Sequence, residues 1–143
     1  MASAFVMTEE ERHAFLTEVH VGIIAIAEAG RGPLAVPVWY SYEPGGVVEV
    51  LMQQDSRKMV GIDAAGRFSL CAQTETAPYK YVSAEGPVSD VRPYDDTDLL
   101  AMATRYLGKE GGKAYVAQSG GAGGVMVTMT PEHWLSTDYS KRG

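Results

Sequence analysis

Turn-forming residues cut this chain into short apolar runs, and that punctuation limits the folds open to it. Val21-Gly-Ile-Ile-Ala-Ile-Ala27 is β-branched and leads into Ala29-Gly-Arg-Gly-Pro33, which suits a strand entering a hairpin. The chain returns as Leu34-Ala-Val-Pro-Val-Trp-Tyr-Ser-Tyr42, turns again at Glu43-Pro-Gly-Gly46 and runs on as a third strand from Val47 to Gln53. These three are expected to pair as an antiparallel meander. Strands are also expected from Arg67 to Gln73 and from Tyr79 to Val88, with the last ones at Val125 to Met129 and His133 to Thr137.

Helical spacing interrupts the strands at a few places. Thr8-Glu-Glu-Glu11 is a capping box, with Phe15 and Leu16 as the buried face of the helix it starts. Ser56 can cap a short helix that carries Met59, Val60, Ile62 and Ala65 and stops at Gly66. Asp95 or Asp96 can cap another, whose Leu99, Leu100, Ala103, Tyr106 and Leu107 recur at helical spacing up to Gly108. A shorter helix is expected over 111–119, then a flexible link at Gly120-Gly-Ala-Gly-Gly124.

Many short strands with few helices predict a mainly β fold, an antiparallel barrel with helical caps, since closure removes exposed strand edges. Alternating βα units are missing and no Gly-x-Gly-x-x-Gly follows the first strand, which argues against a Rossmann domain. The 143 residues fit one domain spanning 1–143. A mean hydropathy of -0.10, no apolar run near 18 residues and no secretory start predict a cytoplasmic protein without a membrane partner. The net charge of -6 speaks against nucleic acid as a partner, so any anion must be met by a local cluster. The single cysteine, Cys71, is expected to be a buried structural thiol. His13, His20 and His133 lack metal-ligand spacing, and no metal site is predicted.

Gln53-Gln-Asp-Ser-Arg-Lys58 carries the most information about a site, because a strand ends and a helix begins there. With Ser56 as the cap, Arg57 and Lys58 occupy the first turn, where the helix dipole favours acidic residues instead. An anion between them would offset that cost and would receive free backbone amides, the Ser56 hydroxyl and both cations. A solvated basic pair is the plain alternative. Pro37, in the middle of a strand, cannot donate to a ladder and marks an edge or a bulge. Period two puts Ala35, Pro37, Trp39 and Ser41 on one face and Val36, Val38, Tyr40 and Tyr42 on the other, which reads as core. The first row can wall a planar ligand, and Trp39 serves equally well as interface packing.

The order Gly22-Ile-Ile-Ala, Pro37-Val-Trp-Tyr40, Ser56-Arg-Lys58, Pro78-Tyr-Lys-Tyr-Val and Glu85-Gly-Pro87 resembles the pyridoxamine 5'-phosphate oxidase-like superfamily of flavin and deazaflavin oxidoreductases. The resemblance runs from about Thr8 to Val91 and rests on several weak motifs in order. It implies a six-stranded antiparallel split β-barrel, FMN-binding-protein-like, as a homodimer with cofactor sites between subunits. It also implies that Pro37, Val38 and Trp39 border the ring, that Ser56, Arg57 and Lys58 hold the phosphate, and that Gln53 is among the cofactor-binding residues. Tyr79 and Lys80 would reach that site from the partner. The chain ends in Asp138-Tyr-Ser-Lys-Arg-Gly143, without the arginine-rich end of the true vitamin B6 oxidases, so pyridoxine phosphate is not the expected substrate. A composition rich in Ala and Gly with no Asn fits a high-GC coding bias, and with it coenzyme F420 rather than FMN.

The expected function is hydride transfer between the reduced cofactor and a small unsaturated organic substrate. A carrier that only sequesters the cofactor is the alternative, and a haem-binding member of the same barrel is a third reading. Because the cofactor supplies the redox chemistry, no fixed catalytic constellation is required. Tyr40, Tyr79 and Tyr81 are possible proton donors, and none is singled out as catalytic.

Overall fold

Burial alternates along the chain and marks the strands at once. In β1 (Gly22–Ile26) Gly22, Ile24 and Ile26 face inward, and in β4 (Val48–Met52) Val48, Val50 and Met52 do the same. The computed structural model describes residues 4–121 and 123–141, so Ala122 of the expected glycine link lies outside the described residues. Its other strands are β2 (Leu34–Val38), β3 (Ser41–Tyr42), β5 (Arg67–Gln73), β6 (Lys80–Pro93), β7 (Val125–Met129) and β8 (His133–Asp138).

All pair antiparallel in one curled sheet of order β2-β1-β5-β6-β7-β4-β3, with β8 beside β6. The two edge strands are consecutive in the chain, separated only by Trp39 and Tyr40, so the sheet curls until its edges meet at that corner. Leu16, Ile24, Ile26, Tyr40, Val50, Leu70, Val82 and Val127 fill the inside with no exposed surface. The result is a mainly β half-barrel with helices around it. No helix of the described residues is long and apolar enough to cross a membrane.

Two expectations about the strands are corrected. The resemblance implies six strands, whereas the described residues form eight strand segments. Part of the difference is the return arm after the first hairpin, which is not continuous. Tyr40 gives its backbone N–H to the Tyr106 hydroxyl at 3.0 Å instead of to a ladder, which splits the arm into β2 and β3. For the same reason the three-stranded meander does not form: β2 pairs β1, while β3 pairs β4. The inward row expected on that arm survives the split, since Tyr40 and Tyr42 are buried and Val36 and Val38 pack against the core.

β6 itself runs past its expected end at Val88 to Pro93 through an irregularity between Val88 and Asp90, which lengthens the strand without adding to their number. β8 flanks its first half and β7 its second. The connection between them crosses Gly86, with Thr130 donating to the Pro87 carbonyl at 3.0 Å and Glu132 to the Glu85 carbonyl at 2.8 Å. A Cβ on Gly86 would sit 1.9 Å from the Thr130 oxygen, so only glycine lets the chain cross there.

The helices follow their local signals. α1 (Glu9–Thr17) has the Thr8/Glu11 capping box and buries Phe15 and Leu16. α2 (Arg57–Ala65) is capped by Ser56, whose hydroxyl accepts from Met59 N–H, and it ends at a left-handed Gly66. α3 (Asp96–Ser119) starts on a reciprocal Asp95/Asp98 cap and breaks at Gly108, where φ is +79°, into the two helical stretches that the sequence predicts.

Candidate functional site

The ends of two strands and the start of a helix converge at the corner where the sheet curls round. The end of β2 brings Pro37, Val38 and Trp39, the end of β4 brings Leu51, Met52 and Gln53, and the first turn of α2 brings Lys58. Tyr94, between β6 and α3, and Leu99, Met102 and Tyr115 on α3 complete a cavity of about 330 Å³. That volume is at the small end of the range for small-molecule sites. Its wall is apolar or aromatic apart from one ammonium, one amide and two phenols, and no carboxylate lines it among the described residues. The surface it exposes is about as polar as apolar, which suits a flat ring with polar edges and an anionic group at one end.

Local chemistry explains each placement. β2 is an edge strand, so Pro37 costs no ladder bond on its open side. Trp39 lies parallel to Tyr106 with ring centroids 5.0 Å apart and meets Tyr115 at 5.2 Å, so α3 holds the indole from outside the sheet. Gln53 donates to the Tyr94 hydroxyl at 3.5 Å, a long contact that leaves both groups available at the rim. At the start of α2 the amides of Arg57 and Lys58 have no acceptor within the helix, because the first turn of any helix lacks one.

The residues expected from the sequence do not all come together. Pro37, Val38, Trp39, Gln53 and Lys58 line the cavity. Ser56 does not, and its hydroxyl is engaged in capping α2. Arg57 turns the other way, and its Nε and Nη2 donate to the two carboxylate oxygens of Glu28 at 2.9 and 2.6 Å. That contact holds the Glu28 carboxyl below its usual range and raises the guanidinium further. Tyr79 is 53% exposed outside the cavity, and Lys80 lies 3.9 Å from Asp138 in a separate hollow beneath α1.

Of the three tyrosines considered as proton donors, Tyr40 is fully buried and gives its hydroxyl hydrogen to the Leu16 carbonyl at 2.7 Å, while burial pushes its phenol upward. Tyr81 pairs with Gln73 and Thr137 across the sheet, away from the cavity. The phenols at the cavity are Tyr94 and Tyr115. Sequence reading missed both, along with Leu51, Met52, Leu99 and Met102, because only folding sets α3 against the ends of β2 and β4. Cys71, expected to be buried, is part-covered on β5, and desolvation raises its thiol. No group of three His, Cys, Asp or Glu among the described residues could hold a metal ion.

No protein-family model matches the chain, and no curated protein matches it significantly. Solved structures do. A conserved hypothetical protein of Mycobacterium tuberculosis, Rv2991, superimposes with a TM-score of 0.75 at 22% identity, over 99% of this chain and 91% of that one. An F420 reductase superimposes at 0.68 and 18% identity, over 86% of this chain and 94% of that one. The FAD and heme binding protein of Mycobacterium smegmatis does so at 0.68 and 12%, over 99% and 75%. At these identities the likeness speaks for a shared fold.

Proposed function

On the fold of the pyridoxamine 5'-phosphate oxidase-like superfamily, we propose that this chain binds coenzyme F420, with FMN as the alternative, between two copies of itself and works as an oxidoreductase on a small unsaturated substrate. One observation carries the reading. Pro37, Val38 and Trp39, read from the sequence as the ring wall, and Lys58, read as a phosphate ligand, line the same cavity although they come from separate elements. Fold neighbours that include an F420 reductase and a FAD and heme binding protein support a cofactor of the flavin type.

When bound, the ring would supply the hydride chemistry. The chain does the rest. Pro37 and Val38 offer a flat apolar edge, and Trp39, fixed by Tyr106, keeps that edge in place. Lys58 and the first-turn amides of α2 meet an anion. Leu99 and Met102, both nearly buried, keep water from the inner wall. Tyr94 and Tyr115 are the hydroxyls within the cavity that could pass a proton to a substrate.

The proposed dimer has a face to form on. Pro37, Ile23, Cys71, Ser83 and Leu135 lie in register across β2, β1, β5, β6 and β8. Ile23 is 39% exposed and Leu135 62%. An apolar row of this kind on a sheet is a surface that soluble chains usually cover. Tyr79, exposed just before the same long strand, is the member of the Tyr79/Lys80 pair that we propose reaches the partner.

Titration with F420 and with FMN, followed by fluorescence and sedimentation together, tests the proposal. Tight F420 binding that Lys58→Ala weakens at least about tenfold, with the fold intact, is the expected result. Binding of neither cofactor refutes it. Substrate-dependent oxidation of the reduced cofactor then distinguishes an enzyme from a carrier.

A further inference from the structure

Arg57 and Lys58 are neighbours in sequence, yet a helix sets successive side chains about 100° apart, so they leave α2 in different directions. Lys58 enters the cavity, and among the described residues it is the one cation that does. Arg57 crosses to the connection between β1 and β2, where Glu28 takes its fork with both carboxylate oxygens. Side-chain exposure is 17% for Glu28 and 54% for Arg57, so the carboxylate is the anchored member and the guanidinium comes to it. Arg31, in the same connection, adds positive charge near Glu28 and helps keep it ionised.

A guanidinium fork presents this paired face to a single carboxylate or phosphate. While Glu28 fills it, the positive charge of Arg57 is matched within the protein. The anion subsite is then served by one ammonium and the amides of α2. Two candidate cofactors differ in what they bring there. The phosphate of F420 is a diester with one negative charge, whereas the terminal phosphate of FMN is a monoester with a charge of about -1.5 to -2 at neutral pH.

We propose that Glu28 is a specificity-determining residue: by holding Arg57 it leaves Lys58 as the single uncompensated cation and favours a phosphodiester-linked ring over a phosphomonoester. The inference rests on the ring site proposed above and goes beyond it, because it assigns the choice of cofactor to a residue outside the cavity.

Glu28→Gln, Arg57→Ala and the double variant test it, each titrated with F420, its phosphate-free deazaflavin chromophore, FMN and riboflavin at one ionic strength. Losing an ion pair whose guanidinium is more than half exposed contributes little to folding, so all three variants should fold, with circular dichroism as the check. The wild-type chain is expected to prefer F420. Glu28→Gln should tighten FMN about tenfold by releasing a charge-assisted donor, with riboflavin unchanged and F420 altered less than about twofold. Arg57→Ala alone should leave FMN nearly unchanged, and in the double variant the gain should vanish.

Equal FMN affinity in the wild type and Glu28→Gln overturns the inference. So does weaker FMN binding in Glu28→Gln, which would mean that Glu28 presents Arg57 to the phosphate. If riboflavin and the phosphate-free deazaflavin also fail to bind, the ring site itself is refuted and the role of Glu28 with it. If they bind and only the Glu28 effect is missing, the ring site stands without this selector.

Discussion

Tyr106→Phe removes one oxygen and should cost far more than an ordinary surface change. The Tyr106 hydroxyl accepts the Tyr40 N–H at 3.0 Å and donates to the His20 carbonyl at 2.6 Å, with the Tyr40 carbonyl a further 3.0 Å contact. It thus serves the chain at the point where the return arm splits into β2 and β3. Without it the Tyr40 N–H and the His20 carbonyl lose their partner.

Each orphaned group costs roughly 1–3 kcal/mol when fully buried. Both sites are only part-buried, so roughly 1 kcal/mol each is the better figure, or about 2 kcal/mol in all. For a chain of this size that lowers the melting temperature by about 4–8 °C. The ring remains, so the stack on Trp39 persists and the loss isolates the hydrogen bonds. Urea unfolding is the assay, with Tyr115→Phe as the control. The Tyr115 hydroxyl makes no hydrogen bond among the described residues, and its loss should change stability by less than about 0.5 kcal/mol. A Tyr106→Phe effect as small as that would refute the account of why the arm breaks.

Three further outcomes are expected. Gly86→Ala places a Cβ 1.9 Å from the Thr130 oxygen and should destabilise by at least about 2 kcal/mol, or abolish soluble protein, in thermal unfolding, whereas Gly32→Ala, with nothing within 4 Å, should be neutral. Asp98 takes both ends of the Arg92 guanidinium at 2.9 and 3.0 Å and the Asp95 amide at 3.0 Å, which lowers its carboxyl from 3.8 to about 2. A carboxyl held low in the folded state adds stability above its ordinary value and loses it as pH falls toward the folded one, so melting temperature should drop between about pH 4 and pH 2, and less steeply in Asp98→Asn. Leu135→Glu, on the exposed sheet face, should halve the sedimenting mass of the proposed dimer, and an unchanged mass would place the interface elsewhere.

Residues whose partners lie within one turn were legible from the order of amino acids alone. Thr8 with Glu11, Ser56 with the Met59 amide and Asp95 with Asp98 each close a cap over three positions, so sequence spacing and contact are the same thing. The inward row of Tyr40 and Tyr42, the edge position of Pro37 and the breaks at Gly66 and Gly108 are local in the same sense. So is the start of the candidate site, because Lys58 follows its cap directly and Pro37 to Trp39 are consecutive.

Long-range contacts decided the remainder. Tyr106 reaches Tyr40 from 66 positions away, and that bond turns one expected strand into two. The crossing of β6 by the connection from β7 to β8 depends on strands whose order in the sheet no local pattern encodes. Arg57 and Lys58 look equivalent in the sequence, and only the approach of Glu28, 29 positions earlier, gives one an internal partner and leaves the other to the cavity. Period and caps state which way a residue points on its own element, while the element that it meets is set by how the curled sheet closes, and that closure gathered Tyr94, Tyr115, Leu99 and Met102 around the ends of β2 and β4.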